Sequence, residues 1–399
     1  MLILVLCLSS FEKSMAQSHD STALAVPEKK EAGVFKFSGF FDFNYFKNLN
    51  NPLDGRNDGI SQAARAFDKP ENQFQIGLVQ TKFNYTRSRS EVVIDLVFGP
   101  HADLGNYGNV IGPLGVGKGT TALAIKQAYF NYRITNKLTF TAGQFGTHVG
   151  YEVIDATLNY NYSLSNLFNN GPFYHIGMKA TYALNSKINI TAGVVNNWDN
   201  LYDNNKFKTF KAQFSYAPTN KLAIFVNYLG GDESTGAHFN SPDTLHRFKQ
   251  LLDLVVNWQV TQKFYLGLNA VAGAASGLAP SPTDSTKLVQ TVKNWGGVAL
   301  YTNYQFSKAF GMGVRADFFD NTAGVMYIGN TDVKSLTVTA RISLDDDHLF
   351  IKPEFRMDVY KKLDYSGPAN KDIQQFQDSK GNYSLNSQIT IGGALIYKF

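Results

Sequence analysis

The feature that most constrains this chain is an alternation of apolar and polar residues with a period of two, repeated along nearly its whole length. In the stretch Ser384 to Phe399, the positions Leu385, Ile389, Ile391, Leu395, Tyr397 and Phe399 are mostly apolar, and Asn386, Gln388, Thr390 and Lys398 stand between them. Such a strand has one face for oil and one for water. The pattern is already present from Gly33, where Phe35, Phe37, Phe41, Phe43 and Tyr45 alternate with Lys36, Ser38, Asp42 and Asn44. About nine or ten residues of this kind, tilted, cross a hydrocarbon layer. Beyond the N-terminus the chain has no run of 18 apolar residues, so a helical membrane protein is excluded.

The connections between alternating stretches fall into two classes that take turns. Short turns are expected near 87–90, 135–137, 185–187, 218–220, 261–263, 306–308 and 345–347. Long polar links are expected near 48–72, 100–121, 146–172, 197–206, 231–246, 276–293, 320–332 and 361–383. A soluble sandwich does not sort its connections this way. The pattern describes an all-β, antiparallel transmembrane barrel of about 16 strands, with short periplasmic turns, longer extracellular loops and both termini on one side. One strand breaks phase, with Phe74, Ile76 and Leu78 on one parity and Val79, Phe83 and Tyr85 on the other, which predicts a bulge near Gly77. Tyr228, Trp258 and Tyr397, near strand ends, suit interfacial girdles.

Charge decides which face is which. In Leu349 to Tyr360, Lys352, Glu354, Arg356 and Asp358 share one parity, opposite Leu349, Ile351, Phe355, Met357 and Val359. A Lys or Arg facing lipid at mid-membrane costs roughly 2–4 kcal/mol, so the charged parity turns inward. The same reasoning assigns Arg315, Asp317 and Arg341 to the interior, together with Asp42, Lys82, Glu91, Asp95 and Arg133. Lys179, Lys211 and Asp253 complete the predicted lining. A barrel this wide is not filled by its own side chains and encloses an aqueous channel unless a loop folds in. Part of the link 146–172 is the candidate constriction, with Glu152, Asn159 and Asn161 facing water; the alternative packs it over the mouth or anchors it to the wall through Tyr151 and Tyr162. The inward charges nearly balance, which predicts weak ion selectivity.

The chain carries 37 Lys and Arg against 32 Asp and Glu, scattered without the basic stripe that nucleic acid requires. Residues 1–16 read as a signal peptide, with the apolar core Leu2 to Leu8 and small residues Ser14 and Ala16 before a cleavage at Gln17; the basic leader is missing, so the start reads as truncated or misassigned. Cleavage removes the single cysteine, Cys7, leaving neither disulfides nor thiolate ligands. Residues 17–32 form a short flexible lead-in, and the barrel occupies 33–399.

Catalytic and cofactor motifs are weighed and rejected. Gly112 to Thr120 nearly matches a phosphate-binding loop, but Gly119 stands where Ser or Thr belongs and no strand-to-helix context surrounds it. His148 and His175, with Ser163 or Ser165, show no triad spacing and no acidic partner. The seven His are dispersed, and Asp345, Asp346 and Asp347 read as a solvated turn rather than a cation site. No catalytic residue, metal or cofactor is expected, and the chain is not read as an enzyme.

The motifs Gly150-Tyr151-Glu152, Asn161-Tyr162-Ser163 and Gly171-Pro172-Phe173-Tyr174-His175-Ile176-Gly177, in this order and spacing, resemble the OmpL-like β-barrel porin family. The likeness extends over Gly33 to Phe399, and its middle part is the specific one. It implies a bacterial outer-membrane porin and supplies no catalytic residues. Tyr397 and the terminal Phe399 likewise resemble the C-terminal signal read by the barrel-assembly machinery. The expected function is a passive channel for small hydrophilic solutes, with outer-membrane lipids around it and the homo-oligomeric state left open. The second reading is a non-conducting structural or adhesive barrel that binds a partner through its loops.

Overall fold

The computed structural model describes residues 32–105, 125–200, 203, 205–234, 247–280, 283, 288–361 and 373–399. The expectations for the signal peptide, for all but the last residue of the lead-in and for Gly112 to Thr120 lie outside the described residues.

The strands in chain order are β1 Val34–Asn48, β2 Gln73–Arg87, β3 Ser90–Phe98, β4 Ile125–Arg133, β5 Leu138–Gly146 and β6 Tyr174–Ala183. They continue with β7 Ile188–Val195, β8 Thr209–Thr219, β9 Leu222–Asp232, β10 Phe248–Gln259, β11 Phe264–Pro280 and β12 Leu288–Gln305. The last are β13 Phe310–Asp320, β14 Asp332–Leu344, β15 Leu349–Tyr360, β16 Phe376–Gln377, β17 Tyr383–Leu385 and β18 Ser387–Lys398. Sixteen of them close into one barrel, each antiparallel to its neighbours, and β16 and β17 form a separate pair within the last long connection. The seam joins β1 to β18, with Phe40 opposite Lys398 and Asn48 opposite Thr390.

All seven short turns fall where the alternation placed them, at the end that also holds the first residue of β1 and the last of β18. One long link differs. Most of 276–293 is strand, because β11 and β12 stay paired out to Pro280 opposite Leu288. A ladder that projects past the hydrocarbon layer needs no apolar face, so its Ser, Thr and Gly residues resemble a loop in sequence while the backbone goes on pairing.

The pleat sorts side chains as lipid and lumen require. Phe35, Phe37, Met178, Leu252, Leu300 and Ile391 are exposed outward, and Asp42, Lys211, Asp253, Arg315, Lys352 and Arg356 are buried inside. At the predicted bulge, Phe41 faces Val79 but Phe43 faces Ile76, so Asp42 alone stands against Gly77 and Leu78. Leu78 therefore turns inward, fully buried, while Phe74 and Ile76, which share its parity in the sequence, face outward. The Asp42 carboxylate accepts the Leu78 N–H at 3.1 Å and fixes the bulge. A β-carbon on Gly77 would lie 2.0 Å from that carboxylate, so only glycine fits.

The apolar cores lie inside the barrel, because the link between β5 and β6 enters it. Phe145, Val149, Leu167, Trp198, Trp295, Tyr301 and Phe319 belong to one cluster, and Phe46, Phe67, Leu78, Tyr162, Leu164, Tyr174 and Phe350 to another. The barrel is thus packed from within by its own connections, with Ala64, Phe67, Ala102 and Met326 of other links joining the same clusters.

Candidate functional site

The segment Thr147–Phe173 runs into the lumen, carrying the short helix α1 Asn166–Asn169 capped by Ser165, whose hydroxyl accepts the Phe168 N–H at 3.1 Å. Its tyrosines sit on wall positions that lack side chains. The Tyr151 ring stacks on Tyr301 with centroids 4.0 Å apart, and its hydroxyl bonds that of Tyr265 at 2.9 Å. A β-carbon on Gly267 would come within 2.7 Å of the Tyr151 ring, and one on Gly313 within 2.4 Å of Tyr160. The Tyr162 hydroxyl donates to Asp42 at 2.6 Å and accepts from Asn44 at 2.7 Å.

The charged wall residues bind the same segment. Arg315 pairs with Glu152 at 2.8 Å and with Asp317 at 3.2 Å, and also donates to the Ser163 carbonyl. The Glu354 carboxylate accepts the backbone N–H groups of Tyr162 and Ser163 at 2.7 and 3.0 Å. Lys352 donates to the carbonyls of Ala156 and Asn159 at 2.7 and 2.6 Å. Arg356 pairs with Asp358 at 2.8 Å and donates to the Leu164 carbonyl at 2.7 Å. Asp317 accepts from the Asn166 amide at 2.6 Å, and Asp253 accepts the Gly150 N–H at 2.9 Å. Buried ions require such partners, because an unpaired one costs several kcal/mol.

This changes the role read for three residues. Glu152, Asn159 and Asn161 were expected to face water, yet all are buried. Glu152 is taken by Arg315, the Asn159 side chain bonds the backbone of Val153, and Asn161 donates to Thr339 at 2.7 Å. The segment enters the lumen, and Tyr151 and Tyr162 anchor it to the wall as the alternative expects.

The remaining candidates are spread around the barrel. Lys179 on β6 and Lys211 on β8 both direct their ammonium groups onto the Phe145 ring, 4.7 and 4.8 Å from its centroid. Arg341 stacks on Phe350 at 4.5 Å and borders a recess of about 260 Å³ beside Tyr160. Lys82 lies opposite Asp95 in the ladder, Glu91 accepts from Asn84 and Asn131 at 2.6 and 2.8 Å, and Arg133 is half-buried near the short turns. At the seam, Tyr397 faces Phe41, and the half-exposed Phe399 packs near Phe37 with ring centroids 5.6 Å apart. His148 and His175 lie 5.9 Å apart, with His148 on the Tyr228 carbonyl and His175 on the Thr147 hydroxyl.

Sequence reasoning missed Arg65, Asp68, Lys126 and Asp155. Arg65, from the β1–β2 connection, reaches Asp358 at 2.8 Å and also pairs with Asp68. In a polar link, nothing distinguishes an arginine bound for the lumen from one in solvent. Lys126 has the parity of the outward Phe130 and Tyr132, but a register shift turns it inward to Asp155 and Asp95.

A closed barrel of 16 antiparallel strands, apolar outside, charged inside and holding the inserted β5–β6 segment, defines an outer-membrane porin. Residues 34–399 match the family described as "Putative beta-barrel porin-2, OmpL-like", and the chain belongs to that family. Comparison with curated protein sequences finds no match. Among solved structures, the chain is similar to the outer-membrane channel DcaP of Acinetobacter baumannii, with a TM-score of 0.55 at 12% identity over 94% of this chain and 100% of that one. It is similar also to the anion-selective porin of Comamonas acidovorans, with a TM-score of 0.55 at 9% identity over 92% of this chain and 100% of that one. OmpT of Vibrio cholerae in its trimer form gives a TM-score of 0.54 at 10% identity, again over 92% and 100%. At these identities the likeness is one of fold.

Proposed function

We propose that this porin is a passive diffusion channel for small hydrophilic solutes, narrowed by the segment 147–173, with weak ion selectivity. The observation that carries the reading is the seating of that segment, whose tyrosines rest on wall glycines and whose backbone is held by buried charges of β13 and β15. Many of the interior charges are engaged in pairs of opposite sign, Arg315 with Glu152 and Asp317, Arg65 and Arg356 with Asp358, Lys126 with Asp155. Paired charges present little net field to a passing ion. In this reading the paired interior charges fix the shape of the path without giving it a dominant sign.

The same proposal includes a cleaved signal peptide, a Gram-negative source, recognition of the Tyr397 and Phe399 strand by the barrel-assembly machinery, a lipid annulus, homo-oligomers and no catalysis. The trimer form of the similar OmpT supports the oligomer. Planar-bilayer recording of the refolded chain tests the channel. Stepwise openings are expected, with larger conductance when 151–161 is deleted and a reversal potential near zero in a salt gradient. Silence from a folded barrel supports the plugged, partner-binding reading instead, unchanged conductance on deletion removes the constriction, and a reversal potential strongly favouring one ion sign removes weak selectivity.

A further inference from the structure

At the long-loop end, six connections and the start of β10 enclose a recess of about 570 Å³, to which the exit of the inserted segment contributes Asn169, Gly171 and Phe173. Its size is within the roughly 300–1,000 Å³ of small-molecule sites. Gln62, Asn169 and Asn200 supply amides, Glu233 a carboxylate, and Lys249 an ammonium. The Lys249 ammonium is held 3.7 Å from the Trp198 ring centroid and 5.5 Å from that of Trp295, by indole faces rather than by an ion pair among the described residues. Two buried atoms of lining residues, Asn169 Oδ1 and Trp198 Nε1, make no hydrogen bond among the described residues. Tyr327, at the rim, leaves 75% of its surface open.

We propose that this recess binds a neutral polyhydroxylated solute, a mono- or disaccharide, at the outer mouth of the pore. An anion would meet Asp199 and Glu233, and a cation would meet Lys69 and Lys249. A neutral polyol incurs neither repulsion. Its hydroxyls both donate and accept, which suits amides, a carboxylate and an ammonium around one volume, and its C–H faces suit Tyr327, Phe173 and Trp198. The placement at an outer mouth rests on the channel reading above, whereas the binding itself does not.

Two of the three tryptophans, Trp198 and Trp295, touch or border the Lys249 ammonium, so their fluorescence reports occupancy. The full chain, refolded in detergent, is titrated with glucose, maltose, glucuronate and spermidine, and bilayer conductance is recorded in parallel. A saturable response to glucose or maltose is expected, weakened about tenfold by Asn200→Ala or by the surface change Tyr327→Ala, with conductance retained. The proposal is overturned by no saturable response to either neutral sugar, by a stronger response to glucuronate or spermidine, or by a sugar response that neither variant alters. Sugar binding without conductance would remove the channel reading and leave the site; conductance without sugar binding would do the reverse.

Discussion

Single residues decide how this barrel is filled. Gly313 on β13 and Gly267 on β11 have no side chain where Tyr160 and Tyr151 lie against the wall. A β-carbon at position 313 would lie 2.4 Å from the Tyr160 ring, so Gly313→Ala forces the ring off its seat. Overpacking of this kind costs typically about 1–3 kcal/mol. That is enough to free the tip of the inserted segment while sixteen strands keep the barrel closed. Chymotrypsin cleavage after Tyr160 is therefore expected to become faster in Gly313→Ala, with circular dichroism unchanged. Equal cleavage rates would mean that the ring moves without loosening the backbone. The Asp42–Gly77 contact follows the same logic, since a carboxylate fits where a β-carbon does not.

Among the elements, the inserted segment depends on a remote tether at its exit. Asp199, between β7 and β8, accepts the N–H groups of Phe173 and Tyr174, where the segment rejoins the wall. Burial pushes its pKa up to about 7, with these bonds and Lys249 pulling it down and Glu233 pushing the same way as burial. A carboxyl group whose folded pKa exceeds its unfolded value of about 3.9 adds stability that is full below that value and lost as pH rises through 7. The difference in urea-unfolding free energy between the wild type and Asp199→Asn should shift across that window, in the direction that weakens the wild type at high pH. A difference constant with pH would mean that Asp199 titrates normally. None of this was legible in the alternation. The strands, the short turns and the bulge near Gly77 were legible, because lipid on one side and water on the other force a period of two and charge penalties fix its phase. The destination of a loop was not. Glu152 and Arg65 lie in polar links, and their partners Arg315 and Asp358 stand 163 and 293 residues away. Only folding brings them together, and Lys126 was hidden by a one-residue register shift.

For the whole molecule, the costly step is closure. Fifteen of the sixteen ladders in the barrel order join strands that follow one another or are separated only by the small β16–β17 pair, while the sixteenth brings Phe40 to Lys398. Closing so long a loop carries the largest chain-entropy cost of any pairing here, and it is recovered only when the whole seam forms. The seam is finished by Gly39 and Phe399, which exchange both backbone hydrogen bonds at 3.0 Å. A β-carbon on Gly39 would lie 2.3 Å from the Gln80 carbonyl oxygen and 2.8 Å from the Phe399 ring, so a side chain there disturbs the pairing of β1 with both neighbours. Gly39→Val should therefore slow or block closure far more than the same change on the outer face of a central strand, such as Ala270→Val on β11. Refolding into detergent, followed by the fraction that migrates as a compact band on unheated gels, measures this. A large loss for Gly39→Val with little for Ala270→Val places the kinetic difficulty at the seam, and equal losses would distribute it around the barrel.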